Sequence, residues 1–148
     1  MKNQSILKNQ SGFTLVEIIA VLIILGILAA VAVPRYIDLE SSAKQRAIDA
    51  SVSELNGRES LAWADVKITY TGILSWEPTV ETMVWSRIIA SGGDRPNLGT
   101  DYQWSGAPTR GSGGPTGTAG GGTVIFRGTS VPLSRFSSTL TQPGFWRR

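Results

Sequence analysis

A polar stretch at the start of the chain gives way to a long block of apolar positions. From Ile18 to Val33 every residue is Ile, Leu, Val, Ala or Gly, and Phe13, Leu15 and Val16 extend the block towards the amino end. A helix over residues 13–33 has 21 residues. At roughly 1.5 Å per residue it is about 31 Å long, close to the hydrocarbon thickness of a bilayer. The pattern therefore predicts a membrane-spanning helix.

A single carboxylate interrupts this block, at Glu17. An ionised side chain is expensive inside a bilayer, and where one occurs it usually serves a function. A second interpretation stays open here, in which Glu17 is an acid near the helix start whose side chain reaches the membrane surface. The sequence thus makes Glu17 a candidate functional residue.

Beyond Pro34 the pattern becomes amphipathic. Opposite charges recur at helical spacing, as in Glu40 with Lys44 and Glu54 with Arg58, which favours a solvated helix face. Apolar residues at spacings of three, four or seven predict the opposite, buried face: Ile48, Val52, Leu55, Ala62 and Val66.

These two segments predict one continuous helix. Pro34 would kink it and Gly57 would soften it, but neither residue needs to divide it. We expect the helix to run from Thr14 to about Val66, roughly 80 Å in all. Residues 13–33 form its membrane half and residues 34–66 its amphipathic half.

Residues 67–148 form a head rich in Gly, Thr, Ser and Trp, a composition typical of short strands and turns. A helical pattern predicts a short second helix at about residues 79–90, with Thr79 as its cap and Gly92-Gly93 as its stop. Alternating apolar and polar residues predict antiparallel strands, three or four in all, with a turn at Gly128-Thr129: residues 101–105, 123–127 and 130–136.

The predicted fold class is α+β, a long helix packed against a small antiparallel sheet. A head of about eighty residues makes a marginal core by itself, so the helix must complete it. The sheet face expected to cover the helix carries six apolar residues: Tyr102, Trp104, Val124, Phe126, Val131 and Leu133.

Residues 106–122 contain eight glycines and two prolines. The spacing of Gly111-Ser112-Gly113-Gly114-Pro115-Thr116 matches neither the dinucleotide fingerprint nor a P-loop, so a phosphate-binding loop is rejected. We expect a flexible, exposed loop instead.

The composition removes several kinds of chemistry. With no His and no Cys, the chain cannot form His- or Cys-dependent nucleophile systems, disulfides, or the usual zinc and haem sites. A net charge of +3 and no basic cluster larger than Arg147-Arg148 give no support for a nucleic-acid partner. A hydrolase using Glu77 and Glu81 is a poor hypothesis, because nothing nearby sets their protonation apart. We therefore predict a protein that is not an enzyme.

The amino-terminal segment resembles a known family. Its leader carries Lys2 and Lys8 but no acid, and Gly12 is followed by Phe13-Thr14-Leu15-Val16-Glu17, the apolar run and Pro34. This arrangement is similar to the prepilin signature of type IV pilins and type II secretion pseudopilins. The close resemblance covers about a quarter of the chain.

The resemblance implies a set of processing steps. Residues 1–12 would be a leader that a membrane prepilin peptidase removes by cutting after Gly12, and the new amino terminus at Phe13 would be methylated. In the assembled filament, Glu17 would pair with the terminus of an adjacent subunit.

The resemblance also implies a function. The chain would be a structural subunit stored in the lipid of the bacterial inner membrane by one span, with its head outside the cytoplasm. An inner-membrane assembly platform would polymerise it with copies of itself and with related minor pilins or pseudopilins. The product would be an extracellular pilus or a periplasmic pseudopilus.

Several alternatives stay open. An ordinary secretory signal would be cut after Ala32, but its apolar region would be shorter and has no reason to contain Glu17. A secretion pseudopilin is a second possibility. The chain lacks both the paired cysteines of many type IV pilins and the Tyr-Pro-Thr-like stretch of the major pseudopilin. We favour a pilin without a disulfide.

A third alternative is an anchored display protein whose Trp residues stack on sugars, with Trp76, Trp104 and Trp146 as candidates. Core packing is nevertheless expected for at least three of the five Trp residues, which also include Trp63 and Trp85. No cofactor is predicted apart from a weak calcium candidate. Some pseudopilins bind calcium near the sheet, and Asp94 and Asp101 could do so here, although their spacing matches no dedicated loop.

Overall fold

The computed structural model describes residues 12–71, 77–89 and 95–148. Contacts divide the chain into two compact units, of which the first ends at Ser41 and the second begins at Ser42. Helix α1 runs from Leu15 to Thr69, continues through Pro34 and supplies residues to both units. The predicted long helix is therefore confirmed, and it ends three residues later than expected. The bend at Pro34 stays a prediction.

The second unit adds a short helix and a four-stranded sheet to α1. Helix α2 spans Glu77–Ile88. The strands are β1 (Tyr102–Trp104), β2 (Gly120–Phe126), β3 (Thr129–Phe136) and β4 (Phe145–Arg147). Every neighbouring pair is antiparallel and the spatial order is β1-β2-β3-β4, so the sheet is a simple meander. The predicted α+β, pilin-like fold class is confirmed.

The core of the second unit lies between α1, α2 and one face of the sheet. One cluster joins α1 and Trp85 of α2 to the sheet: Ile48, Leu55, Trp85, Trp104, Val124, Val131, Leu133 and Trp146. A second cluster joins Val66 of α1 to α2 through Val80, Val84 and Ile88. The predicted sheet face is confirmed, with Tyr102 and Phe126 partly buried and packed against the first cluster. Each fully buried side chain of this size contributes about 1.5–3 kcal/mol, so α1 is an integral part of the head.

The start of α2 differs from the prediction. The helix begins at Glu77, so Thr79 lies inside its first turn and is not the cap. Pro78 explains the difference, because the fixed φ of proline suits the first turn of a helix and its missing N–H costs nothing there. The predicted stop at Gly92-Gly93 lies outside the described residues.

The glycine-rich segment is more ordered than expected. Strand β2 begins at Gly120, and bridges join Thr109 to Gly121 and Ser112 to Thr118. A Cβ built on Gly121 would lie 2.0 Å from the carbonyl oxygen of Leu133, and φ of Gly121 is +115°. The prediction of a flexible, exposed loop over residues 106–122 is thus wrong at its carboxyl end, because glycine there permits two backbones to approach closely.

The hairpin turn lies one residue earlier than predicted. Phe126 pairs with Thr129, which leaves Arg127 and Gly128 as the two turn residues, with φ of +45° and +82°. Two-residue hairpin turns favour positive φ because it matches the twist of the flanking strands. That requirement places Gly128 second in the turn and makes Thr129 the first residue of β3.

Candidate functional site

Thr14 and Glu17 form a reciprocal pair at the amino end of α1. The N–H and the hydroxyl of Thr14 donate to Oε2 of Glu17 at 2.8 and 2.7 Å, and the N–H of Glu17 donates to Oγ1 of Thr14 at 3.3 Å. Because α1 begins at Leu15, these residues occupy the two positions of a capping box. The positive end of the helix dipole also favours a carboxylate there.

This pair changes the interpretation of Glu17. Within one copy of the chain, its carboxylate has two donors without leaving the helix start. Thr14 is a functional residue that the apolar pattern does not reveal, although a Thr three residues before a Glu at the start of an apolar helix is the sequence signal for a capping box. The pairing of Glu17 with another subunit stays a prediction.

Gly12 and Phe13 precede the helix and are exposed. Phe13 is 81% exposed, and a Cβ built on Gly12 would meet no atom of the described residues within 4 Å. The fold of this chain therefore does not require glycine at position 12. Any requirement for glycine would come from an enzyme that cuts there, and both the cleavage after Gly12 and the methylation of Phe13 stay predictions.

The amino-terminal half of α1 exposes its apolar side chains on every face. None of the described residues up to Ala43 is buried, including the large apolar ones between Leu15 and Val33. By length and composition, α1 contains a segment able to cross a membrane. Such a surface requires lipid or another protein around it.

A buried charge cluster lies in the second unit, and no local pattern in the sequence reveals it. Arg135 of β3 is bonded to Glu59 of α1, with Nε at 2.5 Å from Oε1 and Nη2 at 3.0 Å from Oε2. The same guanidinium contacts Glu81 of α2, with Nη1 at 2.7 Å from Oε1 and Nη2 at 3.4 Å from Oε2. Arg135 and Glu59 are fully buried and Glu81 nearly so. We call these three residues the charge cluster.

The charge cluster is fully hydrogen-bonded. Nη1 of Arg135 also donates to the carbonyl oxygen of Arg110, so all five N–H groups of the guanidinium have acceptors. The Trp146 indole donates to Oε1 of Glu59 at 2.9 Å, and the Ser138 N–H donates to Oε2 of Glu81 at 2.6 Å. These bonds satisfy the polar atoms but leave two carboxylates facing one guanidinium.

Burial is the largest single influence on the pKa of both Glu59 and Arg135. It raises the pKa of the Glu59 carboxyl, against the opposing effects of Arg135 and of the Trp146 indole, and the negative charge of Glu81 raises this pKa further. Burial alone would lower the pKa of Arg135. The hydrogen bonds and charges of Glu59 and Glu81 outweigh it, so the pKa of Arg135 is raised and its guanidinium stays charged.

Side chains along one face of α1 form hydrogen bonds to the carboxyl-terminal segment, which we define as residues 137–148. The Asn56 amide bonds both main-chain groups of Trp146, and Glu59 accepts from the Trp146 indole. One and two turns further on, the Trp63 indole donates to the Thr139 carbonyl at 2.8 Å and the Lys67 amine to the Leu140 carbonyl at 3.1 Å. These contacts hold the segment to the helix without a covalent bond.

The structure weakens two alternatives from the sequence. Trp85, Trp104 and Trp146 are buried, so the prediction of core packing for three Trp residues is confirmed and Trp104 and Trp146 are not an accessible sugar platform. Trp76 lies outside the described residues. The Glu81 carboxylate is occupied by Arg135 and Ser138, which removes it from the hydrolase hypothesis, and the side chain of Glu77 is likewise not described.

The calcium candidate is left without structural support in the part of the chain that is described. Asp101 is exposed in the turn before β1, and Asp94 lies outside the described residues. Among the residues described, no group of three or more acidic side chains is placed to hold a metal ion. Calcium binding by Asp94 and Asp101 stays a prediction.

A long helix, apolar and then amphipathic, that completes a small antiparallel sheet defines a type IV pilin-like α+β architecture. Comparison with known proteins agrees with this class. Residues 7–33 match the profile of the prokaryotic N-terminal methylation motif. The resemblance inferred from Gly12 to Pro34 is thereby confirmed.

The relatives with curated descriptions are pilus and fimbrial proteins. The chain is 41% identical over 56 residues to the type IV narrow pilus major component PilA5 of Thermus thermophilus, covering 38% of this chain and 48% of that protein. It is 36% identical over 85 residues to two fimbrial proteins of Pseudomonas aeruginosa, covering 50% of this chain and 54% of each relative. The chain thus spans about half the length of the curated relatives it matches. No solved structure matches it significantly.

Proposed function

We propose that the chain is a structural subunit of a type IV pilus-like helical filament. Residues 13–33 hold it in the inner membrane with its head outside the cytoplasm until the leader is removed. An inner-membrane platform then assembles it with copies of itself and with minor pilins. The observation that supports this most is the amino-terminal half of α1, apolar and exposed on all faces, with one carboxylate at its start.

The apolar surface of this half-helix suits both the membrane and the interior of a filament. In the membrane its side chains contact lipid tails, and in a filament they contact the same half-helices of neighbouring subunits. Because both surroundings are apolar, transfer between them changes the hydrophobic free energy little. Assembly therefore does not require a new core, and the platform supplies the work of extraction.

Glu17 supplies the polar contact that favours the filament over the membrane, by pairing with an adjacent subunit. In the membrane, Thr14 supplies donors to its carboxylate. Cutting after Gly12 creates an amino group on Phe13, one helical turn away, and the amine of an adjacent subunit then offers a full charge as a partner. A charge-assisted hydrogen bond is stronger than one from a neutral hydroxyl, and an unpaired charge in an apolar filament core is costly.

The test is to shear filaments from cells that produce the chain and to measure the intact mass of the subunit. We expect the chain in filaments, beginning at Phe13 and carrying an added methyl group. Exclusive recovery in the membrane fraction would contradict the filament proposal and favour a display protein. A mature chain that begins at Val33 would show an ordinary secretory signal.

Localisation separates the pilus from the secretion pseudopilus. We expect antibody labelling of filaments on the surface of intact cells. Labelling that appears only after the outer membrane is permeabilised would contradict the pilus and favour the periplasmic pseudopilus.

A further inference from the structure

Among the described residues, two carboxylates of the charge cluster face a single guanidinium, which leaves an excess negative charge when both carboxyls are ionised. Glu59 and Glu81 bring two carboxylates and Arg135 brings one guanidinium, all in the interior of the second unit. Nearby main-chain and indole N–H groups donate hydrogen bonds but carry no full charge. A buried, uncompensated charge is costly, and a carboxyl group can relieve that cost by binding a proton.

In the described part of the chain, the other charged groups around the charge cluster have partners of their own. The Arg110 side chain donates to the hydroxyl of Thr82, and only its main-chain carbonyl reaches Arg135. On α1, Arg58 pairs with Glu54, and Lys67 reaches the Leu140 carbonyl. The aromatic rings of Trp85 and Trp146 pack near the guanidinium and lower the local polarity. Their centroids lie 4.6 and 6.0 Å from Cζ of Arg135.

The charge cluster is also where the carboxyl-terminal segment is attached. Ser138, near the start of that segment, bonds Glu81, and Trp146, near its end, bonds Glu59. Gly144 lies against the same carboxylate, since a Cβ built on it would be 3.0 Å from Oε2 of Glu59. Both carboxylates of the charge cluster are therefore in direct contact with the segment.

We propose that a proton bound by the charge cluster keeps the carboxyl-terminal segment packed against α1, and we call this arrangement the lock. With a proton on Glu59, the cluster is neutral overall and holds the segment against α1. When that proton leaves, a net negative charge remains in the interior and the segment loosens. The chain has no Cys, so a disulfide cannot bridge the segment and the lock can open reversibly.

The sign of the linkage follows from the direction of the shift. The pKa of Glu59 is raised in the folded state, so the folded state binds the proton more tightly than the unfolded state. The stabilisation is complete below the ordinary pKa of a glutamate and is lost as pH rises through the raised pKa. The chain has no His, so few other groups titrate between about pH 5 and pH 8.

The test uses the full chain in detergent micelles, unfolded by urea at a series of pH values and followed by Trp fluorescence. We expect the folded to unfolded ratio to fall as pH rises from about 5 to 8, by about tenfold for each unit by which the raised pKa lies above pH 5. A ratio that stays constant or increases over this range would overturn the proposal without any variant.

Two variants locate the proton. Glu59→Gln and Glu81→Gln each remove one negative charge, so each should flatten the pH dependence. The matched control is Glu54→Gln on the exposed face of α1, where the carboxylate pairs with Arg58, and it should keep the wild-type dependence. If the dependence of both cluster variants equals that of the control, the proton binds elsewhere and the proposal is wrong.

A second measurement follows the segment itself. Hydrogen exchange of the amides of residues 137–148, corrected for intrinsic rates, should be slower relative to β2 amides at about pH 5 than at about pH 8. Glu59→Gln should abolish that difference. A uniform change over the whole head would show that the lock on the segment does not exist.

Discussion

The side-chain amide of Asn56 occupies the position of a neighbouring strand for Trp146. The Trp146 N–H donates to Oδ1 of Asn56 at 2.6 Å, and Nδ2 of Asn56 donates to the Trp146 carbonyl at 3.0 Å. Strand β4 is at the edge of the sheet, where main-chain groups otherwise lack partners. The Asn56 side chain thus bonds the outward-facing N–H and carbonyl of Trp146, the most buried residue of β4.

Asn56→Ala should destabilise the head by about 1–3 kcal/mol, because it leaves two main-chain groups without partners. The better helix propensity of alanine offsets only about 0.5 kcal/mol of this loss. Urea unfolding of the full chain in detergent measures the change. Ser60→Ala is the control, since the Ser60 hydroxyl is exposed and bonds only the Asn56 carbonyl of its own helix. Equal stability of the two variants would contradict the role given to Asn56.

The long helix and its buried face could be predicted because their signals are local. Ile48, Leu55 and Val66 are buried as their spacing requires. On the predicted face, Leu55 and Ala62 are seven positions apart, and Glu59 lies between them on the same face. An acid at such a position signals a buried partner, but the sequence does not say which one.

The partner could not be predicted because it lies 76 residues away along the chain. Arg135 follows Val131 and Leu133 at strand spacing, so it shares their inward face, and this is the only local sign of its burial. Pairing the two requires the register of β3 against α1. That register is a property of the tertiary fold, which local patterns do not contain.

Arg135→Met should be among the most damaging changes to the head. It leaves two carboxylates in the interior without their cation, and removing one partner of a buried ion pair typically costs about 3–5 kcal/mol. Denaturant unfolding tests this. Adding Glu59→Gln and Glu81→Gln to Arg135→Met should recover part of the stability, because the buried charges are then gone. A triple variant less stable than Arg135→Met alone would show that packing of the arginine matters more than its charge.

Gly121 and Gly128 offer a matched pair of substitutions in β2 and its turn. Both have positive φ, but a Cβ on Gly121 would overlap the Leu133 carbonyl whereas a Cβ on Gly128 meets no atom within 4 Å. Gly128→Ala should cost about 1–2 kcal/mol from backbone strain alone. Gly121→Ala should cost clearly more, since two strands must separate. Thermal unfolding of both variants measures the difference, and equal midpoints would contradict the larger cost expected for Gly121→Ala.

Substitution at Gly12 separates recognition by a peptidase from folding. Because no atom lies near a Cβ at this position, Gly12→Leu should leave the unfolding of the head unchanged. We nevertheless expect it to block the cut before Phe13, so that cells accumulate the uncut chain in the membrane. Intact-mass measurement reads the outcome. Normal cleavage of Gly12→Leu would show that glycine is not what the peptidase requires.

Glu17 allows the proposed filament role to be tested apart from its role at the helix start. Glu17→Ala removes both the bonds to Thr14 and the charge, whereas Glu17→Gln keeps a hydrogen-bond acceptor for the Thr14 N–H and removes only the charge. We expect both variants to be cut after Gly12 and to accumulate in the membrane, where loss of a carboxylate is favourable. Neither should enter filaments when it is the sole copy, because each leaves the amine of an adjacent subunit unpaired in an apolar core, at a cost of about 3–5 kcal/mol per subunit.

Thr14→Val supplies the control for that experiment. It removes the hydroxyl bond to Glu17 but keeps the carboxylate and the Thr14 position's N–H, so it should weaken the helix start by about 1 kcal/mol and still assemble. The yield of sheared filaments from strains that carry each variant alone measures the difference. If Thr14→Val fails as completely as Glu17→Gln, the capping box and not the intersubunit charge governs assembly. If Glu17→Gln assembles normally, Glu17 serves the helix start alone.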